Sequence, residues 1–476
     1  MKIGYSNKDF LKIKGLFNLS DIRFWLVLFF FIRLYAIQDP PLEVAHNWRQ
    51  TTVTMAARNF LEVDNNILFP RVDFAGEKSG ITGMEFPLLN YLIYLMSLVF
   101  GYAHWYGRLI NLVVSSVGLF YFYRLIKKYR DESFSFNATF ILLFSVWFTY
   151  SRKIMPDTFS VSLVIAGLYY GSDYLEKKPS FKSISLCFIL TLLGLLSKLP
   201  AIYLMILYIP LFYRSDKKQK ILFACMSTLM LLPVALYYFY WVPYLTNQYG
   251  FSHFFMGKNM LIGLNELILD WSNTLEKFYL DALQIIGFAL FLLGLFYLVK
   301  KKERFILWVF GLGSLSFLVI MFKAGFTFSH HSYYIVPFAP IMAIVAAYAL
   351  SQMKSRKMVL LFLTLIAFES LANKFHDFTI KENNMAMLQL EGALTAVGNR
   401  NEKILLNSGD VPTPMYFSHR KGWIAFNEQI KNKSLINDLK GMGLRHIVIL
   451  KKSFGSDLVL DYPVLFNSAD FTIYQP

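Results

Sequence analysis

Asp39-Pro-Pro-Leu-Glu43-Val-Ala-His46-Asn47-Trp48-Arg49-Gln50 opens a polar excursion that runs to Tyr106, between the first two apolar runs of a 476-residue chain. It continues through the helix-like stretch Thr51 to Glu62 and the turn Met84-Glu85-Phe86-Pro87-Leu88. Connections between packed helices are usually short, and a pore or a set of spacer helices has no use for one this long and charged. An enzyme that works at a bilayer surface on a lipid-borne substrate does. The loop therefore predicts a membrane enzyme.

Outward from the loop, 56% of the residues are hydrophobic and only 16% are Asp, Glu, Lys or Arg. Soluble domains carry about 25% charged residues. Apolar runs of near-spanning length recur near 24–38, 107–126, 134–150, 157–174, 184–198, 200–213, 221–241, 279–299, 305–322, 334–350 and 358–373. This predicts a polytopic α-helical membrane protein of about eleven transmembrane helices. The net charge of +16 does not imply nucleic acid, because Lys and Arg punctuate the apolar runs instead of gathering on one surface. Topology explains most of them, and attraction to anionic membrane lipids is a second use. Cys187 and Cys225 both lie in apolar runs and predict free thiols. Lys2, Lys8, Lys12, Lys14 and Arg23 precede or open the first run, and no small-residue cleavage site follows it, so it reads as a retained signal anchor.

The apolar run 86–100 decides the topology. If it does not span, the basic connections fall on one side: the amino-terminal segment, Arg124 to Arg130, Lys177-Lys178, Lys217 to Lys220, Lys300 to Arg304 and Lys354 to Lys357. If it spans, they divide between both sides. The positive-inside rule therefore predicts an outer-surface or re-entrant helix, a cytoplasmic amino terminus and an outward loop 39–106. By the same count, residues 374–476 face out. Strand-like runs 403–407, 446–450 and 471–474, with a helix over 435–441, predict a small extracytoplasmic α/β domain behind a membrane domain of residues 1–373.

This topology gathers ionisable residues on the outer face. Glu43, His46, Arg49, Arg58, Arg71, Lys78 and Glu85 come from the first loop, and Arg152-Lys153-Ile-Met-Pro156-Asp157 from a later turn. Lys198 precedes Pro200, and Lys323 and Ser329-His330-His331-Ser-Tyr333-Tyr334 precede the tenth span. Ionisable groups at a membrane boundary are costly and mark sites. Carboxylates or a histidine can take a proton from a hydroxyl, and Arg and Lys can hold a phosphate as it leaves. Plainer roles fit as well. Asp157 and Glu85 suit helix ends, Arg152 and Lys198 suit snorkelling anchors, and His46 suits packing on Trp48. His330 and His331 alone make no metal set. The amphipathic stretch 51–62 is expected to lie in the interface.

In order and spacing these motifs resemble the GT-C superfamily of membrane glycosyltransferases, in its family 39-like branch of protein O-mannosyltransferases and lipid A aminoarabinose transferases. The landmarks are the polar motif after the first span, Glu85-Phe-Pro87-Leu, Met155-Pro-Asp157 and Tyr333-Tyr334-Ile-Val-Pro337. His46-Asn-Trp-Arg-Gln50, Ala57-Arg-Asn-Phe60, Gly409-Asp-Val-Pro412 and Arg420-Lys-Gly-Trp423 resemble a bacterial subgroup.

The resemblance implies an inverting transferase in a bacterial inner membrane. It would take a sugar from a polyprenyl-phosphate donor to a hydroxyl of a glycan, lipid or protein. The family's paired acids align with His46 and Asn47, neither acidic, so the base falls to His46 or to Glu43. Arg49, Arg58, Lys78, Arg152 and Lys198 are then the phosphate candidates. Asp157, Glu85, His330, His331, Tyr333 and Tyr334 are left to position sugar, acceptor or cation. No nucleotide cofactor is required, and a divalent metal stays an open alternative. A lipid flippase, another lipid-linked transferase and a non-catalytic relative are the competing readings.

Overall fold

In the computed structural model, residues 18–176, 179–455 and 458–476 are described. The basic residues Lys2, Lys8, Lys12 and Lys14 and the pair Lys177-Lys178, used above to orient the chain, lie outside them.

Each expected span corresponds to a helical segment. The chain forms α1 (Ile22–Leu34), α2 (Asn47–Glu62), α3 (Leu88–Phe100), α4 (Tyr106–Ile126), α5 (Glu132–Leu143), α6 (Pro156–Glu176) and α7 (Phe181–Ser197). A 3-10 segment, Leu199–Tyr208, runs into a short helix ending at Arg214. Then come α8 (Lys217–Leu236, continuing to Tyr249), α9 (Gln284–Lys301), α10 (Arg304–Ala324), α11 (Ala339–Ser351) and α12 (Arg356–Lys374). Among the described residues, five helices, beginning at Tyr106, Lys217, Gln284, Arg304 and Arg356, are long and apolar enough to cross a membrane.

Local signals start these helices where the basic connections lie. Asp131 and Ser180 accept from Phe134 N and Ser183 N to cap α5 and α7, and Ser355 accepts from Met358 N to cap α12. At the opposite end α2, α3 and α4 begin without a side-chain cap. The ends of those helices are instead held by the polar loops.

Close packing centres on α6, which is buried on nearly every side. A Cβ on Gly118 of α4 would stand 2.3 Å from Ser162, so only glycine lets α4 approach α6 this closely. The buried face of α11 is built from Ala339, Ala343, Ala346, Ala347 and Ala349 and packs against α9 and α5. Cys187 is buried, Cys225 is exposed, and both are free.

The run 86–100 forms a helix of 13 residues, about 20 Å long and shorter than a bilayer core. It packs on α2 and α4. The helix expected to lie in the interface is enclosed instead. Every residue of α2 from Gln50 to Phe60 is buried, between α3 and the helix Thr413–Ser418. The reason is chemical. Its apolar residues Val53, Met55 and Ala57 join buried clusters, and its polar groups find partners within the protein: Asn90 Nδ2 donates to Val53 O at 2.9 Å, and Arg58 Nη1 to Tyr416 O at 3.0 Å.

Beyond α12 lies a five-stranded sheet: β1 (Lys403–Leu406), β2 (Gly422–Ile424), β3 (Leu444–Leu450), β4 (Val464–Asn467) and β5 (Phe471–Tyr474). Its order is β2-β1-β3-β5-β4, with β2, β1 and β3 parallel and β5 and β4 antiparallel. The three expected strands and the helix Lys433–Gly441 are present, and β2 and β4 are additional. β2 holds only three residues and β4 is mostly exposed, so neither shows a strand's apolar alternation.

The sheet docks on the first loop. Gly76 N donates to Gly422 O at 2.7 Å and Gly422 N to Asp73 O at 2.9 Å. Gly76 has φ +69, and a Cβ there would meet the Trp423 ring at 2.3 Å. Tyr416 Oη meets Tyr102 Oη at 2.6 Å and His104 Nδ1 at 2.8 Å across the same seam. Tyr416→Phe is expected to cost about 1–2 kcal/mol, read by thermal unfolding, with donor turnover unchanged.

Candidate active site

The segment that joins α1 to α2 carries Glu43 into a charged enclosure. Its Oε1 accepts from Arg152 Nη2 at 2.8 Å and lies 3.4 Å from Arg108 Nη2. Its Oε2 accepts from Lys153 Nζ at 2.5 Å and from Gln50 Nε2 at 3.3 Å. Glu43, Arg108 and Lys153 are 0% exposed. Burial works against the Glu43 charge, but Lys153, Arg108 and Arg152 outweigh it and hold the carboxyl well below its usual range.

The cations are themselves tied to backbone. Arg108 donates to the carbonyls of Ile37 and Asp39, Arg152 to those of Tyr35 and Ala36, and Lys153 to Asp377 O. Val44 N donates to Thr379 O, and Glu43 pairs with Ile380 in an isolated antiparallel bridge. Glu43 thus locks the start of the loop to α4, to the turn before α6 and to the segment after α12. No face of its carboxylate is open to a hydroxyl. As a base it is displaced by its own partners, and Arg152 is likewise committed.

A second cluster forms around Arg49, the residue before Gln50 in the first turn of α2. Glu85 Oε1 accepts from Arg49 Nη2 at 2.5 Å and from Lys198 Nζ at 2.8 Å. Burial opposes the Glu85 charge, yet Arg49 and Lys198 hold its carboxyl well below the usual range. Lys198 Nζ stands 3.7 Å from Asp157 Oδ1, longer than a hydrogen bond. Asp157 opens α6 directly after Pro156, where an acid suits the helix start. Two atoms here are buried without partners among the described residues: the Arg49 Nε donor and the Asp157 Oδ2 acceptor. Buried polar groups are rarely left unpaired, because each costs about 1–3 kcal/mol. An open donor and an open acceptor in one cluster suit a ligand that both accepts and donates.

His46 is the residue before α2 and has φ 58, a left-handed conformation rare for a non-glycine residue. Its ring lies 4.9 Å from that of Tyr333, 5.6 Å from His331 and 5.9 Å from Tyr150, and makes no hydrogen bond to a described residue. Burial first, and then His331, Lys153 and Arg49, push its imidazolium down to about 3. The imidazole is therefore neutral at neutral pH, with its nitrogens unclaimed. His331 stacks on Tyr333 at 5.3 Å and reaches Trp48 at 5.9 Å. Tyr334 packs on Tyr333 at 4.9 Å.

The fold thus brings together His46, Arg49, Glu85, Asp157, Lys198, His331, Tyr333 and Tyr334. Other expected residues stand apart. Arg58 Nη2 is bound to Asp73 Oδ2 at 3.0 Å in the sheet seam, and exposed Lys78 donates to Gly250 O. His330 turns away from His331: its Nδ1 contacts Phe326 O at 2.8 Å and stands 3.8 Å from Asp270 Oδ2. In the tail, Arg420 is buried and Trp423 packs on Gly76, whereas Asp410 is exposed. Among the described residues, no three His, Cys, Asp or Glu side chains gather as a metal-ligand set.

Several participants were missed. Arg108 and Asp377 carried no motif, and Gln50 stood only as the last residue of His46-Asn-Trp-Arg-Gln50, with no role of its own. Lys277 and Asp281, paired at 2.8 Å on a π-helical turn, were half absorbed into an expected span. That helix begins at Gln284 instead, and Lys277 acts electrostatically on both His46 and His331. A charged pair at the edge of an apolar run, on a turn type frequent at functional sites, was the available signal.

Against this geometry the comparisons fall into place. The sequence profile of the dolichyl-phosphate-mannose-protein mannosyltransferase family matches residues 85–241, which include Glu85, Arg152, Asp157 and Lys198. No curated protein sequence matches the chain. Among solved structures, ArnT from Cupriavidus metallidurans in the apo state is similar at a TM-score of 0.60 and 11% identity, over 95% of this chain and 98% of that one. The same protein bound to undecaprenyl phosphate gives 0.59 and 10%, over the same shares. The archaeal oligosaccharyltransferase AglB from Archaeoglobus fulgidus, in complex with an inhibitory peptide and a dolichol-phosphate, gives 0.54 and 12%, over 90% of this chain and 70% of that one. The helical body, the polar first loop and the carboxy-terminal sheet thus share their fold with ArnT and AglB, and residues 85–241 match the profile of the dolichyl-phosphate-mannose-protein mannosyltransferase family.

Proposed function

We propose that the chain is an inverting glycosyltransferase that moves a sugar from a polyprenyl-phosphate donor to an acceptor hydroxyl. The observation that carries this reading is the pair of unfilled polar atoms, Arg49 Nε and Asp157 Oδ2, set in the Glu85–Lys198 cluster beside the unclaimed imidazole of His46. Two similar structures support the ligand class: ArnT was solved with undecaprenyl phosphate and AglB with a dolichol-phosphate and a peptide.

In this mechanism Arg49 and Lys198 hold the donor phosphate, with Glu85 fixing both cations. Arg49 offers its free Nε–H, and Lys198 has donors to spare beyond its bond to Glu85. Asp157 Oδ2 accepts from a hydroxyl of the sugar or the acceptor. The acceptor oxygen attacks the anomeric carbon on the face opposite the phosphate. The carbon–oxygen bond to the phosphate breaks, polyprenyl phosphate leaves, and the acceptor's proton passes to His46. His331 and Tyr333 wall the base from water. No nucleotide is needed, because the activated bond is already in the lipid donor, and a divalent metal stays an open alternative.

We further assign about eleven spans, a cytoplasmic amino terminus, and an extracytoplasmic location for residues 39–106 and 374–476, in a bacterial cytoplasmic membrane. The residues 374–476 act as a domain that shapes acceptor access.

The test is turnover by purified protein with a panel of polyprenyl-phosphate sugars, scored as release of polyprenyl phosphate. Asp157→Asn is expected to slow release about 10- to 100-fold, the worth of one charge-assisted hydrogen bond. Movement of the intact lipid across vesicles, without release from any donor, would replace the transferase with a flippase.

A further inference from the structure

A cavity lies at the end of the helical body away from the candidate site. It occupies about 970 Å³, its open mouth included, between α4, α6, the 199–214 segment, α10 and α11. Phe122, Ile165, Leu168 and Ile341 form its floor. Leu207, Pro210 and Val309 are half-buried at its flank, so it opens sideways from the body. α4 and α10 are two of the helices apolar enough to cross a membrane. A hollow on such a flank faces hydrocarbon, and an apolar cavity does not hold water.

The rim supplies a second observation. Arg130 lines the cavity where the helices end. One arm of its guanidinium donates to Glu303 Oε1 at 2.5 Å, and its centre lies 5.8 Å from the rings of Phe134 and Phe305. Its buried Nε–H has no acceptor among the described residues. Arg124 lies in the last turn of α4, Lys127 and Lys128 follow it and pair with Glu132 and Asp173, and Arg304 opens α10. An apolar slot topped by a cation with an unfilled donor is complementary to a molecule with a long hydrocarbon chain and an anionic head.

We infer that this cavity binds one anionic phospholipid of the surrounding bilayer, with an acyl chain in the slot and its phosphate on Arg130. The donor's own phosphate is too far away. The 21 residues of α4 separate this rim from the first loop, a rise of about 30 Å.

The test is native mass spectrometry of the full-length protein equilibrated with phosphatidylglycerol or phosphatidylcholine. One phosphatidylglycerol is expected to stay bound, preferred about fivefold over phosphatidylcholine, the worth of a single cation–headgroup contact. Arg130→Gln should erase the preference and Leu168→Trp should erase the adduct. Should Leu168→Trp not fold, phosphatidylglycerol carrying a diazirine on its acyl chain decides with wild-type protein. Crosslinks to Ile165, Leu168 or Ile341 support the site, and crosslinks confined to outward residues such as Val299 or Leu360 overturn it. Equal retention of both lipids overturns the headgroup assignment. Displacement of phosphatidylglycerol by polyprenyl phosphate would give the slot to the donor lipid instead.

Discussion

Glu43→Gln is expected to destabilise the protein by about 3–5 kcal/mol, the cost of breaking a buried ion pair, and to do so without changing the pH profile of the activity that remains. The variant leaves Lys153, Arg108 and Arg152 enclosed with no balancing charge. It also loosens the tie between the first loop and the segment after α12. The readout is thermal unfolding in detergent together with pH–rate profiles. The carboxyl is held below its usual range in the fold, so its contribution is fully present at neutral pH and is lost only as pH falls toward the depressed value. The opposite result, normal unfolding with turnover abolished, would return Glu43 to the role of base.

His46→Ala is the second large effect: turnover should fall by about 10²–10⁴, the range for a lost general base. The pH dependence is the sharper test. Burial and cationic neighbours push the free protein's imidazolium down to about 3. The neutral, base-competent form therefore dominates from about one unit above that value, and kcat/KM, which reports the free enzyme, should show no acid limb near the ordinary histidine value of about 6.5. Donor binding adds an anionic phosphate beside Arg49 and Lys198 and offsets their repulsion of the imidazolium. The acid limb of kcat should then lie at higher pH than that of kcat/KM. Unchanged turnover in His46→Ala, or a kcat/KM limb near 6.5 that the substitution removes, would show that this imidazole is not the enclosed base described above.

The sheet seam shows how a motif can be right in sequence and different in purpose. Arg58 and the Arg420-to-Trp423 stretch look site-like because charged and aromatic residues crowd a polar region. Arg58 is bound to Asp73 and Tyr416, while Trp423 lies against Gly76 and Arg420 donates to Thr395 Oγ1. Arg58 and Trp423 join the first loop to the carboxy-terminal region, and Arg420 braces that region internally. Arg49 and Lys198, no more conspicuous in the sequence, meet at Glu85. Composition cannot distinguish these cases, because a buried arginine needs an anionic partner whether that partner is structural or a ligand.

Hydropathy and residue spacing along the chain were enough to read the helical body, the polar first loop, a short helix within 86–100 and three of the five strands. Hydropathy period, capping residues and charge spacing are local, and they act over a few turns of chain wherever the rest of the molecule lies. Tertiary structure alone decided the division of labour among the ionisable residues. Glu43 meets cations more than 60 residues away in sequence, His330 and His331 part at adjacent positions, and Lys277 comes to bear on His46 from a turn lost in an apolar run. Which charges become anchors depends on which distant partners share the same low-dielectric enclosure, and no period along the chain encodes that.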